Sequence, residues 1–583
     1  MKTYYVGLAT TLHDPALAIV SPEGEILFAE AAERYLQNKR AINCEPDPLL
    51  RIGELLETYC DPKARFAVAR TWSPRYTRFP LWVSLAGALG FVQARSLTRF
   101  KLDKTAAWLL LERHRLLHLL LCSISSRVKA GANLVTTLRR TYGNRNVVFY
   151  DFEHHLTHAA TACYTSPFEQ AACLIVDGHG ERGTISFFQY QKPEIRLLKQ
   201  HRGPESLGAL YMLVTELCGF SSLKGEEWKV MGLAPYGKHD EAIARLLGAL
   251  ARPAKNGIRY PSPCRVRELV LALQPYARVA GTDALAMADL AHTWQAYFCQ
   301  LMDALLAQMH ALAPSGDLVF GGGCALNSSY AGTILGHLPF QRLYIPSAPA
   351  DDGNALGAAL LAYRRENPGA PLPAISASPY LGSEISRGAL KRLIELGQIP
   401  RARLLPGSVH LEAAKLLASG KILGWVQGRA EFGPRALGNR SILADPRDPA
   451  MKARLNAKVK FRESFRPFCP SILHQHGPAY FCDYQESPFM ERTLRFREEV
   501  KDKVPAVVHV DGTGRLQTVK REWNQKFYDL IEAFYRLSGV PLVLNTSFNI
   551  MGKPIIHSVE DALGLFSTTG LEALVIGDYV IEK

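Results

Sequence analysis

The chain has 583 residues, 48% of them hydrophobic and 21% charged, a balance that suits a globular protein of two or three domains and excludes a low-complexity chain. Eleven cysteines without a Cys-x-x-Cys pair argue against a disulfide framework and a zinc ribbon, and fit a reducing cytoplasm. The net charge of +14 is uneven: residues 71–140 hold twelve Lys or Arg against Asp103 and Glu112, so ten of those charges lie there.

In chain order, MKTYYVGLATTLHDPALAIV is broken by polar residues and by Asp14-Pro15, unlike a secretory signal. Tyr4–Ala9 and Ala16–Val20 are expected as strands, with a turn at Ser21–Gly24 and a return strand at Glu25–Ala29. The basic region follows. Its longest uncharged apolar stretch, Pro80–Val92, falls short of the ~18 residues that span a bilayer. KTAAWLLLERHRLLHLLL at Lys104–Leu121 predicts basic amphipathic helices, suited to a helical cap, to a membrane surface or lipophilic acceptor, or to nucleic acid.

Further on, Ala171–Val176, Asp317–Phe320 and Arg342–Pro346 are apolar runs ending in Gly or Asp turns, the last before a helix at Asn354–Ala362. Strands followed by such turns and helices indicate an α/β layered domain. A Pro/Ala-rich linker at Asn367–Ser378 leads to a second α/β domain from Gly382, with strands expected at Ile422–Val426, Ala506–Val510 and Leu542–Leu544.

Three polar groups stand out in the first domain. His154 and His158 are four apart, so they share one helix face and suit either one metal or solvent. Asp177 ends a buried strand and Asp351 opens a glycine turn, both positions where α/β folds build sites. Asp352 competes with Asp351. The Gly321-Gly322-Gly323 loop with Asn327 fits a phosphate cradle or a tight turn. His13 and Asp14 can accept a proton, or form an ordinary Asx-type turn.

Between Arg429 and Arg466 lie Arg435, Arg440, Arg447, Lys452, Arg454, Lys458, Lys460 and Arg462, interleaved with Gly433, Pro434 and Gly438. Cations beside fixed turns suit ligands with phosphate or carboxylate oxygens. The segment EFGPRALGNRSILADPR, followed by KFRESFRPFCP, resembles the ATP-dependent O-carbamoyltransferases of the NodU/CmcH type, which modify nodulation factors, cephems, ansamycins and tobramycin. The resemblance covers nearly the whole chain and weakens near 71–145.

That resemblance implies a Kae-like domain of the actin-like ATPase superfamily over 1–370, with a basic helical insertion near 71–145, and a YrdC-like α/β domain over 382–583. It implies metal ligands at His154, His158, Asp177 and Asp351, with Fe(II) favoured, and a catalytic pair at His13 and Asp14. Nucleotide contacts fall on Gly321, Gly322, Gly323 and Asn327. Carbamoyl phosphate and its adenylate fall on Lys460, Arg466, Arg515, Ser547 and Asn549. The implied reaction uses ATP with Mg and carbamoyl phosphate, and modifies a hydroxyl on a small molecule. A threonylcarbamoyl transferase acting on tRNA, a hydrogenase-maturation enzyme and a non-catalytic adaptor are the rival readings. The arginine block and the absence of Cys-x-x-Cys pairs weigh against the first two, and the polar clusters against the third.

Overall fold

The computed structural model describes residues 2–74, 126–203, 205–255, 257–370, 378–397, 399 and 401–583. Helices expected at Lys104–Leu121, and the middle of the expected linker, lie outside these residues. Two compact units are present. The first comprises Met1–Ala32, Arg40–Leu326 and Leu338–Ser376, and the second Glu33–Lys39, Asn327–His337 and Ala377–Lys583.

The first unit contains one strand topology twice. Strands β1 (Thr3–Ala9), β2 (Ala16–Val20) and β3 (Ile26–Ala31) form an antiparallel meander, and β4 (Arg65–Arg70) and β5 (Val147–Asp151) extend it parallel to β1, in the order β3-β2-β1-β4-β5. The second sheet repeats this. Strands β6 (Gln170–Val176), β7 (Ile185–Gln191) and β8 (Glu194–His201) form the meander. After a short hairpin of β9 (Arg252–Ala254) and β10 (Gly257–Arg259), β11 (Asp317–Gly321) and β12 (Arg342–Tyr344) extend it parallel to β6. The order is β12-β11-β6-β7-β8. The two sheets thus share one order of connection and one pattern of parallel and antiparallel pairs. Diverged side chains hide the duplication in the sequence.

The inner strands are apolar because both of their faces are covered. Along β1, Val6, Leu8 and Ala9 have no exposed surface, and β6 is buried from Ala171 to Val176. The helix Asn354–Glu366 packs on β1, β2 and β4 and on the helix His154–Thr165. Its small residues permit this closeness: a Cβ on Gly357 would lie 2.1 Å from the carbonyl oxygen of Thr157. The helix Ala132–Tyr142, at the end of the basic region, buries Leu134 and Leu138 against Ile52, Leu55 and Leu56 while Arg139 and Arg140 end it. That part of the region therefore covers the first sheet.

The second unit is built on nine strands in the order β13-β21-β20-β14-β15-β19-β16-β18-β17. In chain order these are β13 (Ala402–Leu404), β14 (Leu423–Val426), β15 (Arg440–Ala444), β16 (Cys469–Leu473), β17 (Arg492–Arg495), β18 (Thr513–Val519), β19 (Leu542–Ser547), β20 (Ala573–Ile576) and β21 (Tyr579–Glu582). One expected strand is displaced. Pro505–Val507 form a 3₁₀ turn instead of opening a strand, and β18 begins only after Gly512, at φ +78°, where Asp511 accepts the N–H of Thr513. The start of the run is held in that turn by its own donors, Ala506 N–H to Pro446 O at 3.1 Å and Val507 N–H to Val504 O at 3.2 Å.

Replacing Gly357 with Ala is expected to cost about 1–3 kcal/mol of unfolding free energy by overpacking. Denaturant titration checks this against Gly369→Ala, where a Cβ meets nothing within 4 Å and stability should be retained.

Candidate metal centre and anion site

In each half of the first unit, the loops after the parallel strands carry the polar side chains. His13 and Asp14 follow β1, Trp72 follows β4, and the helix bearing His154 and His158 follows β5. In the second half Asp177 follows β6, Gly322 and Gly323 follow β11, and Asp351 follows β12. The carboxyl ends of parallel strands are where α/β sheets form their clefts.

One ligand-capable atom each from His154, His158, Asp177 and Asp351 lies within 4.8 Å of the others, and all four residues are buried. Nε2 of His154 is 3.4 Å from Asp351 Oδ1 and 3.7 Å from Asp177 Oδ2. Nε2 of His158 is 3.3 Å from Asp351 Oδ1 and 3.9 Å from Asp177 Oδ2. Among the described residues, both Nε2 atoms and Asp351 Oδ1 lack hydrogen-bond partners despite full burial. Polar atoms left so and aimed at one point fit a cation. Electrostatics agree: burial acts to lower the His154 imidazole, but the two carboxylates override it and raise it to about 10. Burial and Asp351 push the Asp177 carboxyl up, yet the imidazoles prevail and leave it at about 2. Without a metal, a proton on His154 supplies the positive charge.

Of the rival aspartates, Asp351 joins the cluster, whereas Asp352 Oδ1 accepts the N–H of Gly353 at 3.0 Å. The glycine loop serves Asp177. Gly322 has φ +88° and a Cβ there would meet Val176 O at 2.3 Å, so only glycine lets the loop pass β6. Its N–H donates to Pro349 O, and that of Gly323 to Asp177 Oδ1, both at 2.9 Å. These two donors are therefore engaged within the protein instead of being aimed at a phosphate. Asn327, expected beside them, belongs to the second unit and caps a four-residue helix through Tyr330 N–H at 3.1 Å.

The β1–β2 loop is gripped by a neighbour that the sequence did not single out. Arg40 donates Nη2 to Asp14 Oδ2 at 2.9 Å and Nη1 to Ser222 O at 3.1 Å, while its own carbonyl accepts Asp14 N–H at 2.8 Å. Both residues have positive φ, 54° for Asp14 and 60° for Arg40, strain of the kind that clusters at functional sites. Burial tends to raise the Asp14 carboxyl, but Arg40 and His13 outweigh it and hold it well below the usual range. His13 Nδ1 lies 2.8 Å from Asp14 Oδ2. Asp14, held by Arg40, thus fixes the orientation of the His13 imidazole through Nδ1.

The second unit holds the opposite charge. Glu431 Oε1 accepts the N–H groups of Leu437, Asn439 and Arg440 at 2.8, 2.8 and 3.1 Å, which shapes the loop carrying Arg435. A π-helical turn, Asn456–Lys460, ends at Phe461 with φ 48° and delivers Lys460 and Arg462. Lys460 Nζ reaches Ser547 O, Ser547 Oγ at 3.2 Å, and Asn549 O and Oδ1 at 3.0 and 2.8 Å, so three expected residues meet. Burial, then Arg462 and Arg466, push the Lys460 ammonium well below its usual range. Burial and Arg515 lower Arg435 to about 9, and burial and Arg466 lower Arg462 strongly. Arg466 pairs with Glu463 at 3.3 Å, and Arg515 donates Nε and Nη2 to Cys469 Sγ at 3.2 and 3.1 Å. Buried cations that depress one another call for an anion.

Arg435 and Arg462 join this cluster by the effects above, although the sequence marked them only as part of a basic run. Other members of that run are scaffolding. Arg440 is fully buried and donates to the carbonyls of Gln427, Gly428, Asn439 and Ser383. Arg447 pairs with Asp445 at 2.6 Å.

Because a metal must displace the His154 proton, affinity should rise with pH below about 10, with about one proton released per ion near neutrality. Calorimetric titration in buffers of different ionisation heat checks it. Heats independent of the buffer would contradict it.

Comparisons with known proteins agree along the chain. The family model described as Carbamoyltransferase N-terminus matches residues 88–360, and that described as Carbamoyltransferase C-terminus matches 414–583. Nodulation protein NolNO of Sinorhizobium fredii is 38% identical over 440 residues, 74% of this chain but 63% of the relative's own length. Nodulation protein NolO of Bradyrhizobium diazoefficiens is 35% identical over 446 residues, 74% of this chain and 78% of its own. The crystal structure of T. kodakarensis HypF aligns at 11% identity and a TM-score of 0.32, over 63% of this chain and 48% of that one, too low a score to equate the folds.

Proposed function

Since the chain belongs to the carbamoyltransferase family, we propose that it moves a carbamoyl group from carbamoyl phosphate to a hydroxyl of a small molecule, using ATP. The observation that carries this reading is the pair of buried, oppositely charged sites, one fit for anions and one for a metal. We assign the first step to the second unit, read as YrdC-like. There Arg435, Arg462, Arg466 and Arg515 neutralise the phosphates. Ser547 and Asn549, held by Lys460, bind the planar carbamoyl group through directional hydrogen bonds. Water cleaves carbamoyl phosphate to carbamate and phosphate. A carbamate oxygen then attacks the α-phosphorus of ATP, which travels with Mg, and pyrophosphate leaves. The product is carbamoyl adenylate. Carbamate decomposes in water, so a protected site has a chemical purpose.

The transfer step is assigned to the first unit. His154, His158, Asp177 and Asp351 would hold a divalent cation, Fe(II) suiting this mixed imidazole and carboxylate set, and it would supply Lewis acidity. The acceptor hydroxyl gives its proton to His13 Nε2 as its oxygen attacks the carbamoyl carbon. The bond from that carbon to the adenylate oxygen breaks, and AMP departs. Asp14, fixed by Arg40, keeps the imidazole turned and stabilises it once protonated.

The two steps should separate by mutation. Ala at Arg466 or Arg515 removes a charge-assisted contact worth about 1.5–3 kcal/mol and should slow pyrophosphate release at least about tenfold. Ala at His158 should abolish acceptor carbamoylation while carbamoyl-phosphate-dependent pyrophosphate release persists. The measured quantity is pyrophosphate released per acceptor modified, beside bound metal and melting temperature. Equal loss of both steps in a folded His158→Ala chain would argue for a single composite site.

A further inference from the structure

The two imidazoles of the proposed metal centre are oriented in different ways. His158 Nδ1 lies 3.2 Å from the carbonyl oxygen of Pro349, a bond that turns Nε2 toward the carboxylates. This is the usual arrangement for a ligating histidine. His154 Nδ1 has no hydrogen-bond partner among the described residues, although the side chain is fully buried. An imidazole without that bond can rotate about Cβ–Cγ and swing Nε2 away from the point where Asp177 and Asp351 converge.

Trp72 lies against that ring. The ring centroids are 4.7 Å apart and the planes 23° from parallel, an offset stack. The edge of His158 meets the same imidazole at 4.9 Å and 88°. The indole is itself immobilised. It is 4% exposed, its N–H donates to Thr10 O at 2.6 Å, and the Arg127 guanidinium lies 3.7 Å from the ring centroid. The next residue, Ser73, donates its N–H and hydroxyl to the two carboxylate oxygens of Glu181. The platform is thus anchored to the loop after β1, to Arg127 and to the segment beyond Asp177.

We propose that Trp72 is a positioning residue for the metal centre, its stack fixing the plane of His154 as the hydrogen bond to Pro349 fixes that of His158. The inference rests on the reading of His154, His158, Asp177 and Asp351 as metal ligands. The duplicated topology supports it independently. Trp72 follows β4, and its counterpart after β11 is the loop whose Gly323 N–H steadies Asp177 at 2.9 Å. In both halves the loop after the second strand of the parallel set holds a ligand carried by another segment, once through an aromatic face on the His154 helix and once through a backbone donor to Asp177.

The test is titration of the metal-free full chain with Co(II), read by calorimetry and by the visible ligand-field bands. Trp72→Leu should weaken binding by about tenfold or more, the range seen when support for a ligand is lost, and should alter the bands. Trp72→Phe restores a flat face and should return affinity to within about threefold of the parent, with the parental bands. In a His154→Ala background, Trp72→Leu should cause no further loss, because the residue acts through that ring. Trp72→Gln replaces the leucine variant should the latter not fold. Parental affinity and bands in a folded Trp72→Leu or Trp72→Gln chain would overturn the proposal, as would an undiminished loss in the His154→Ala background. A parental chain that binds no Co(II) would remove the metal reading itself, and this inference with it.

Discussion

The carboxylates of Asp177 and Asp351 are buried together, and the first unit is organised around that unfavourable proximity. Two like charges in a medium of low dielectric repel strongly unless a positive charge sits between them. Two imidazoles supply the setting, and one of them is drawn to about 10 by the demand for a proton. The duplicated topology explains how such a site arises. Each half contributes loops at the carboxyl ends of three parallel strands, so polar groups from distant stretches of sequence meet while the apolar strands bear the packing. Gly357 and Gly322 are two of the places where backbone passes too close for a side chain, one beneath the histidine helix and one beside β6.

The second unit inverts the problem. Arg435, Lys460, Arg462, Arg466 and Arg515 are crowded so that several fall below their usual proton affinity. Burying such a cluster is costly without an anion to balance it, which is the reason for the anion reading proposed above.

How much of this was legible in the sequence depends on range. His154 and His158 were readable because one helix turn places them together. Asp177 and Asp351 stood where strand and turn signals converge, and Asp351 was separable from Asp352 only by which carboxylate its own helix consumes. The arginine-rich run suggests anion binding, but the sequence alone does not divide it into candidate ligands and scaffold. Arg440 looks like Arg435 in the sequence, yet four carbonyls occupy the first, while the second is held on the Glu431 loop beside Arg515. Arg40 and Trp72 were missed because their roles come from contacts with residues 26 and 82 positions away, without a local motif. The glycine loop after β11 was read for phosphate because Gly-rich loops often serve that end. Here two of its N–H groups orient Asp177 and brace the Pro349 segment.

The fate of ATP tests the proposed reaction most directly. Phosphorus NMR of the full chain with ATP, Mg and carbamoyl phosphate follows each phosphate directly. Signals of AMP, pyrophosphate and inorganic phosphate growing together, and only when carbamoyl phosphate is present, are the predicted result. Appearance of ADP in place of AMP, or pyrophosphate formation indifferent to carbamoyl phosphate, would contradict it.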